Sequence, residues 1–149
     1  MQPTRALWRK QADLLAADTA TLAAAMAMHV HLCKAPFVPS LDLLLASLTE
    51  ATFTGSTALA AGTGTQPDFY DVADGALTIQ IKEPAGGWLW TCTADPASPE
   101  IIYGWYLTDN ADAVLYGAAL LIAPVTINAA GQAIDIGEVT LKWLPQSPY

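Results

Sequence analysis

Two histidines and a set of aromatic rings are the residues of this chain whose types and spacing suit chemistry. His29 and His31 stand two apart in His29-Val30-His31-Leu32-Cys33, an alternating run that reads as a strand. Both imidazoles then share one face, and two at that spacing can ligate a metal when a third ligand joins them. No Asp, Glu or Cys pattern nearby supplies it. The pair therefore reads as a polar strand face, and neither a metal nor another cofactor is expected. Asp68, Asp71 and Asp74 recur every third position within residues 61–75, whereas a calcium loop places ligands every second position. That stretch reads as a solvated acidic loop. Cys33 and Cys92 lie far apart and read as two unpaired thiols.

The aromatic residues form two pairs. Trp88 and Trp90 share a strand face, and so do Tyr103 and Trp105. Rings presented on a sheet can bind sugar, but aromatics dominate cores and subunit interfaces more often. Near the start, Arg5, Trp8, Arg9 and Lys10 lie in a short helical pattern, residues 5–17, with Leu7, Trp8, Leu14 and Leu15 on one stripe. This basic helix opens an otherwise acidic chain. It reads either as a cover for one end of the sheet or as an arm whose Arg5, Trp8, Arg9 and Lys10 contact a neighbouring subunit.

No catalytic signature accompanies these groups. The sequence holds no Gly-rich phosphate loop, no paired-cysteine metal motif and no nucleophile elbow, so it is not read as an enzyme. The net charge is -8, from 14 acidic and 6 basic residues, which argues against nucleic acid and against anionic membranes as partners. The chain is 53% hydrophobic and 13% charged. So few charges leave apolar surface that other chains are expected to cover, so a homo-oligomer or assembly component is expected.

The elements that must position these residues are strands. The strongest is Glu100 to Asp109, rich in β-branched and aromatic residues and ended by the turn Asp109-Asn110-Ala111-Asp112. Ala113 to Ile122 answers it as a hairpin partner. Both runs are apolar throughout, so the pair is expected to be covered on both faces, with Gly104 and Gly117 marking bulges or close approaches. Further strands are expected at Glu50–Gly55, Leu77–Lys82, Trp88–Thr93, Pro124–Asn128 and Ile134–Trp143, with Trp88–Thr93 paired to Leu77–Lys82. A short helix is expected at Leu41–Leu48. The uncharged stretch from Ala113 to Ile134 contains Gly117, Pro124 and Gly131, and reads as strands rather than a membrane helix. No secretory signal is read at the N-terminus. The expected fold is mainly β: an antiparallel β-sandwich or jelly-roll-like domain, residues 29–149, preceded by a helical arm or linker, residues 1–28.

Several stretches resemble a group of small proteins encoded among tailed-bacteriophage structural genes. They are His29-Val30-His31-Leu32, Pro36-Phe37-Val38-Pro39-Ser40, Leu48 to Gly55, Lys82 to Trp88 and Ile102 to Asp109. The similarity covers most of residues 14–143, with Ser56 where the group commonly has a tyrosine. The resemblance implies a virion component, best a capsid decoration or cement protein on the outer head surface. Such proteins bind the major capsid protein or another virion protein, commonly as homotrimers. Two alternatives stand beside it: a tail, fibre or baseplate adaptor, and a carbohydrate- or receptor-binding module using Trp88, Trp90, Tyr103 and Trp105.

Overall fold

The structure is a computed structural model and describes residues 2–3, 28–40, 42–60, 68–71, 77–81, 87–137 and 139–143. Its strands are β1 (Gln2–Pro3), β2 (Met28–Cys33), β3 (Leu59–Ala60), β4 (Asp68–Asp71), β5 (Leu77–Ile81), β6 (Leu89–Thr91), β7 (Glu100–Asp109), β8 (Leu115–Ile127), β9 (Ala133–Asp135) and β10 (Val139–Trp143). Among the described residues the only helix is a single 3-10 turn, Leu45–Ser47. Every strand pair is antiparallel. The strands form a five-stranded sheet in the order β1-β8-β7-β2-β3, a three-stranded sheet β10-β5-β4 and a ribbon β6-β9.

The β7–β8 hairpin is the expected one. Its turn is closed by Asp109, whose Oδ1 accepts the N–H groups of Ala113 and Val114 at 2.8 and 3.0 Å. Asp112 takes a left-handed backbone, φ 53°, a conformation that Asp tolerates better than most residues. β8 is longer than expected and carries Pro124 within it. The pairing jumps from Ile102↔Val125 to Gly104↔Leu120, so Leu121 through Pro124 stand opposite Tyr103 alone. This irregularity absorbs the proline, which has no N–H to offer a ladder.

Side-chain alternation in β2 divides the five-stranded sheet into two covered faces. Met28, Val30 and Leu32 enter the larger core with Phe53, Trp88, Trp90, Trp105, Leu107, Ile127 and Ile134. Cys33 joins Tyr106, Leu115 and Ala118 on the opposite face, under Phe37, Leu43, Leu45 and Leu48. The Pro-rich stretch before the 3-10 turn thus caps the hairpin's second face. A fully buried large side chain contributes about 1.5–3 kcal/mol, and Trp88, Trp90, Leu32, Ile102, Leu107 and Ile127 are all below 2% exposed.

Several expected elements differ. Glu50–Gly55 is not a strand: Glu50 makes one bridge to Cys33, and a turn follows in which Gly55 adopts φ 105°. The Thr52 N–H is bound by the Glu100 carboxylate and does not enter a ladder. Of the helix expected at Leu41–Leu48, the described residues 42–48 provide only the 3-10 turn. Trp88–Thr93 yields β6, which pairs with β9 rather than with β5, because that register sets Trp90 opposite Ile134 and buries both. Ile134–Trp143 is two strands, broken near Gly137 at φ 65°. Asp68 and Asp71 belong to strand β4, not to a loop, while Asp74 lies outside the described residues. Within the expected N-terminal arm, Gln2–Pro3 pairs with β8 at Ala118 and Gly117. The helix over 5–17 lies outside the described residues. None of the described helices is long and apolar enough to cross a membrane.

Candidate functional site

His29 and His31 point to the same face of β2, and the β2–β7 register sets them opposite Thr108 and Tyr106. That register also brings the β7–β8 turn over the pair. Asp112 Oδ1 accepts His29 Nδ1 at 2.8 Å, lies 3.0 Å from His31 Nε2, and accepts the Thr108 hydroxyl at 2.8 Å. A single oxygen is therefore the meeting point of three polar groups. The third ligand-type group absent from the histidines' own neighbourhood comes from the hairpin turn, 81 positions from His31.

His31 is the organising residue. Its side chain is 5% exposed. Its Nδ1 donates to Glu50 Oε1 at 2.7 Å, and its Nε2 faces Asp112 and the Thr108 hydroxyl, both at 3.0 Å. Its ring stacks on Tyr106 with centroids 4.7 Å apart and planes 4° from parallel. Burial pushes the Tyr106 phenol up, and the Glu50, Cys33 and Asp112 charges push it further. Burial also pushes the Asp112 carboxyl up, but hydrogen bonds from His29, Thr108 and His31 outweigh it and hold the group below its ordinary range. One ligand atom from each of His29, His31 and Asp112 lies within 4.8 Å of the other two. Two ring nitrogens and a carboxylate so placed can hold a cation.

Glu50, Thr108 and Asp112 were not legible as site residues. The strand, the turn and the bridge segment were each visible separately, but the pairing of β2 with β7 joins them. The aromatic residues are dispersed. Trp88, Trp90 and Trp105 are 0%, 1% and 8% exposed and belong to the larger core. Tyr103 instead lines an open groove with Lys34, Thr52 and Ile101. Tyr103 and Trp105 are parted by the irregularity between Ile102 and Gly104, so the four rings do not form one exposed platform. Arg5, Trp8, Arg9 and Lys10 lie outside the described residues. Cys33 and Cys92 are buried and unpaired with each other, and each thiol donates to a carbonyl two residues on. No protein-family model, curated protein or solved structure matches the chain.

Proposed function

We propose that the chain is a structural component of a tailed-phage virion, a capsid decoration or cement protein that binds and stabilises the head shell from outside as a homotrimer. The observation that carries this reading is the apolar surface of β8. Leu120, Ile122 and Val125 are 49%, 110% and 36% exposed, and Ile101 beside them on β7 is 42% exposed. Among the described residues, β8 is paired on its outer side only at Gly117 and Ala118. An open strand edge with exposed apolar side chains is a surface that another chain covers.

The lack of charge along β8 makes it the place where a second copy meets least repulsion. Copies of a chain with net charge -8 repel one another. No charged residue occurs from Ala113 to Ile134, so the β8 surface is where two copies can approach. A sandwich or jelly-roll-like arrangement fits the larger core, which Trp90 of β6 and Ile134 of β9 share with β2, β7 and β8. Burial of Trp88, Trp90 and Trp105 favours this assembly role over a carbohydrate-binding module.

Light scattering on the purified chain tests the reading. The expected mass is three times the chain mass of 15.7 kDa. Ile122→Lys is expected to give a monomer with unchanged circular dichroism and to lose binding to undecorated phage heads. A wild-type monomer that does not bind heads would overturn the proposal. Binding to tails alone would replace it with the adaptor reading.

A further inference from the structure

We propose that His29 Nδ1, His31 Nε2 and the Asp112 carboxylate form a binding site for a divalent cation of the zinc class, with Glu50 as the positioning residue behind His31. This inference is independent of the virion reading.

The three groups are close enough to share one ion, with a ligand atom of each within 4.8 Å of the other two. In a tetrahedral zinc site, ligands about 2.0–2.1 Å from the metal stand about 3.3 Å from one another. Asp112 Oδ1 is already 2.8 Å from His29 Nδ1 and 3.0 Å from His31 Nε2. An ion on the imidazole axes takes the place that Asp112 Oδ1 now holds, so the half-exposed Asp112 side chain turns aside to become a ligand. The elements that carry the ligands are fixed: β2 by its ladder to β7, and Asp112 by a turn that Asp109 closes. The Asp112 side chain is 47% exposed and that of His29 is 29% exposed, so the site opens to solvent and water can take the fourth position.

The partners of His31 point the same way. Its two ring nitrogens face carboxylates on opposite sides, Glu50 at 2.7 Å and Asp112 at 3.0 Å. Nδ1 is turned to Glu50, which leaves Nε2 as the nitrogen aimed at Asp112 and the site. The Glu50–His31 contact then has the form that metal-binding histidines commonly take, with the outer nitrogen donating to a carboxylate and fixing ring and tautomer. Tyr106 holds the ring plane from the side. Two imidazoles and one carboxylate select zinc, copper or nickel over calcium and magnesium, which take oxygen ligands.

Zinc and cobalt, added to full-length protein stripped with a chelator, test the site. Calorimetry is expected to show one zinc bound per chain, and cobalt to give visible absorption of the tetrahedral type. Zinc is also expected to raise the unfolding temperature. His29→Ala and Asp112→Asn should each weaken zinc binding at least about tenfold, and Glu50→Gln about 10–100-fold. Unfolding temperatures in chelator read any structural cost separately, and Asn at 112 keeps the left-handed backbone accessible. No binding by the wild type at millimolar zinc would overturn the proposal. Wild-type affinity in both His29→Ala and Asp112→Asn would overturn it as well, by placing the ion elsewhere.

Discussion

The Glu100 carboxylate closes onto Thr52, with Oε2 accepting the Thr52 N–H at 2.9 Å and Oε1 accepting its hydroxyl. Lys34 Nζ completes the group, 2.6 Å from the Thr52 hydroxyl and 3.5 Å from Glu100. This group anchors the turn after Glu50 to the start of β7. Burial pushes the Glu100 carboxyl up, but the Thr52 hydrogen bonds and the Lys34 charge outweigh that and hold it below the ordinary value of 4.5. A carboxyl depressed in the folded state contributes stability above its unfolded value and loses it as pH falls through the folded value. Glu100→Gln should therefore cost about 1–3 kcal/mol at neutral pH, and the difference from wild type should shrink as pH drops below about 4.5. Chemical denaturation at a series of pH values measures this. A difference that stays constant with pH would contradict it.

Gly104 has no space for a side chain. A Cβ there would lie 2.3 Å from the Ala119 carbonyl oxygen and 2.9 Å from two Phe37 ring atoms. Replacing Phe37 removes the ring, but the carbonyl belongs to the β7–β8 pairing. Gly104→Ala is expected to cost roughly 3 kcal/mol, and Phe37→Leu in the same chain should recover little of it. Thermal unfolding of the single and double variants reads both, and a loss under about 0.5 kcal/mol for Gly104→Ala would contradict the packing described.

Asp109 sets the turn that delivers Asp112. Removing its carboxylate frees the N–H groups of Ala113 and Val114. Asp109→Ala should cost about 1–2 kcal/mol. Hydrogen exchange should accelerate at those two amides before it does in the middle of β7. Unchanged exchange at Ala113 and Val114 would show that the turn is held by other means.

The central hairpin was legible because its signals are local. β-Branched and aromatic residues fill Glu100–Asp109, and an Asp/Asn turn follows at once. The shared face of His29 and His31 was legible from alternation alone. What completes their cluster was not, because Glu50 and Asp112 reach it through pairings between distant segments. Gly104 reads as a close approach from the sequence, but the Phe37 ring that crowds it beside the Ala119 carbonyl comes from a loop with no periodic pattern. The exchange of partners by Trp88–Thr93 has a similar origin. Both β5 and β9 offer apolar residues, and the burial of Trp90 against Ile134 decides between them.

The depth of the hairpin turn's reach also orders events in time. β7 and β8 meet across a short turn, and hairpins of this kind form in about 1–10 μs. β2 arrives from far along the chain, with His31 77 positions from Thr108. Closing so long a loop carries an entropic cost before any contact compensates it, which makes such pairings slow. The histidine cluster is therefore expected to form after the hairpin that carries Asp112. Its assembly is expected to lag behind the hairpin, and cobalt absorbance during refolding would time that lag if the proposed site binds the metal.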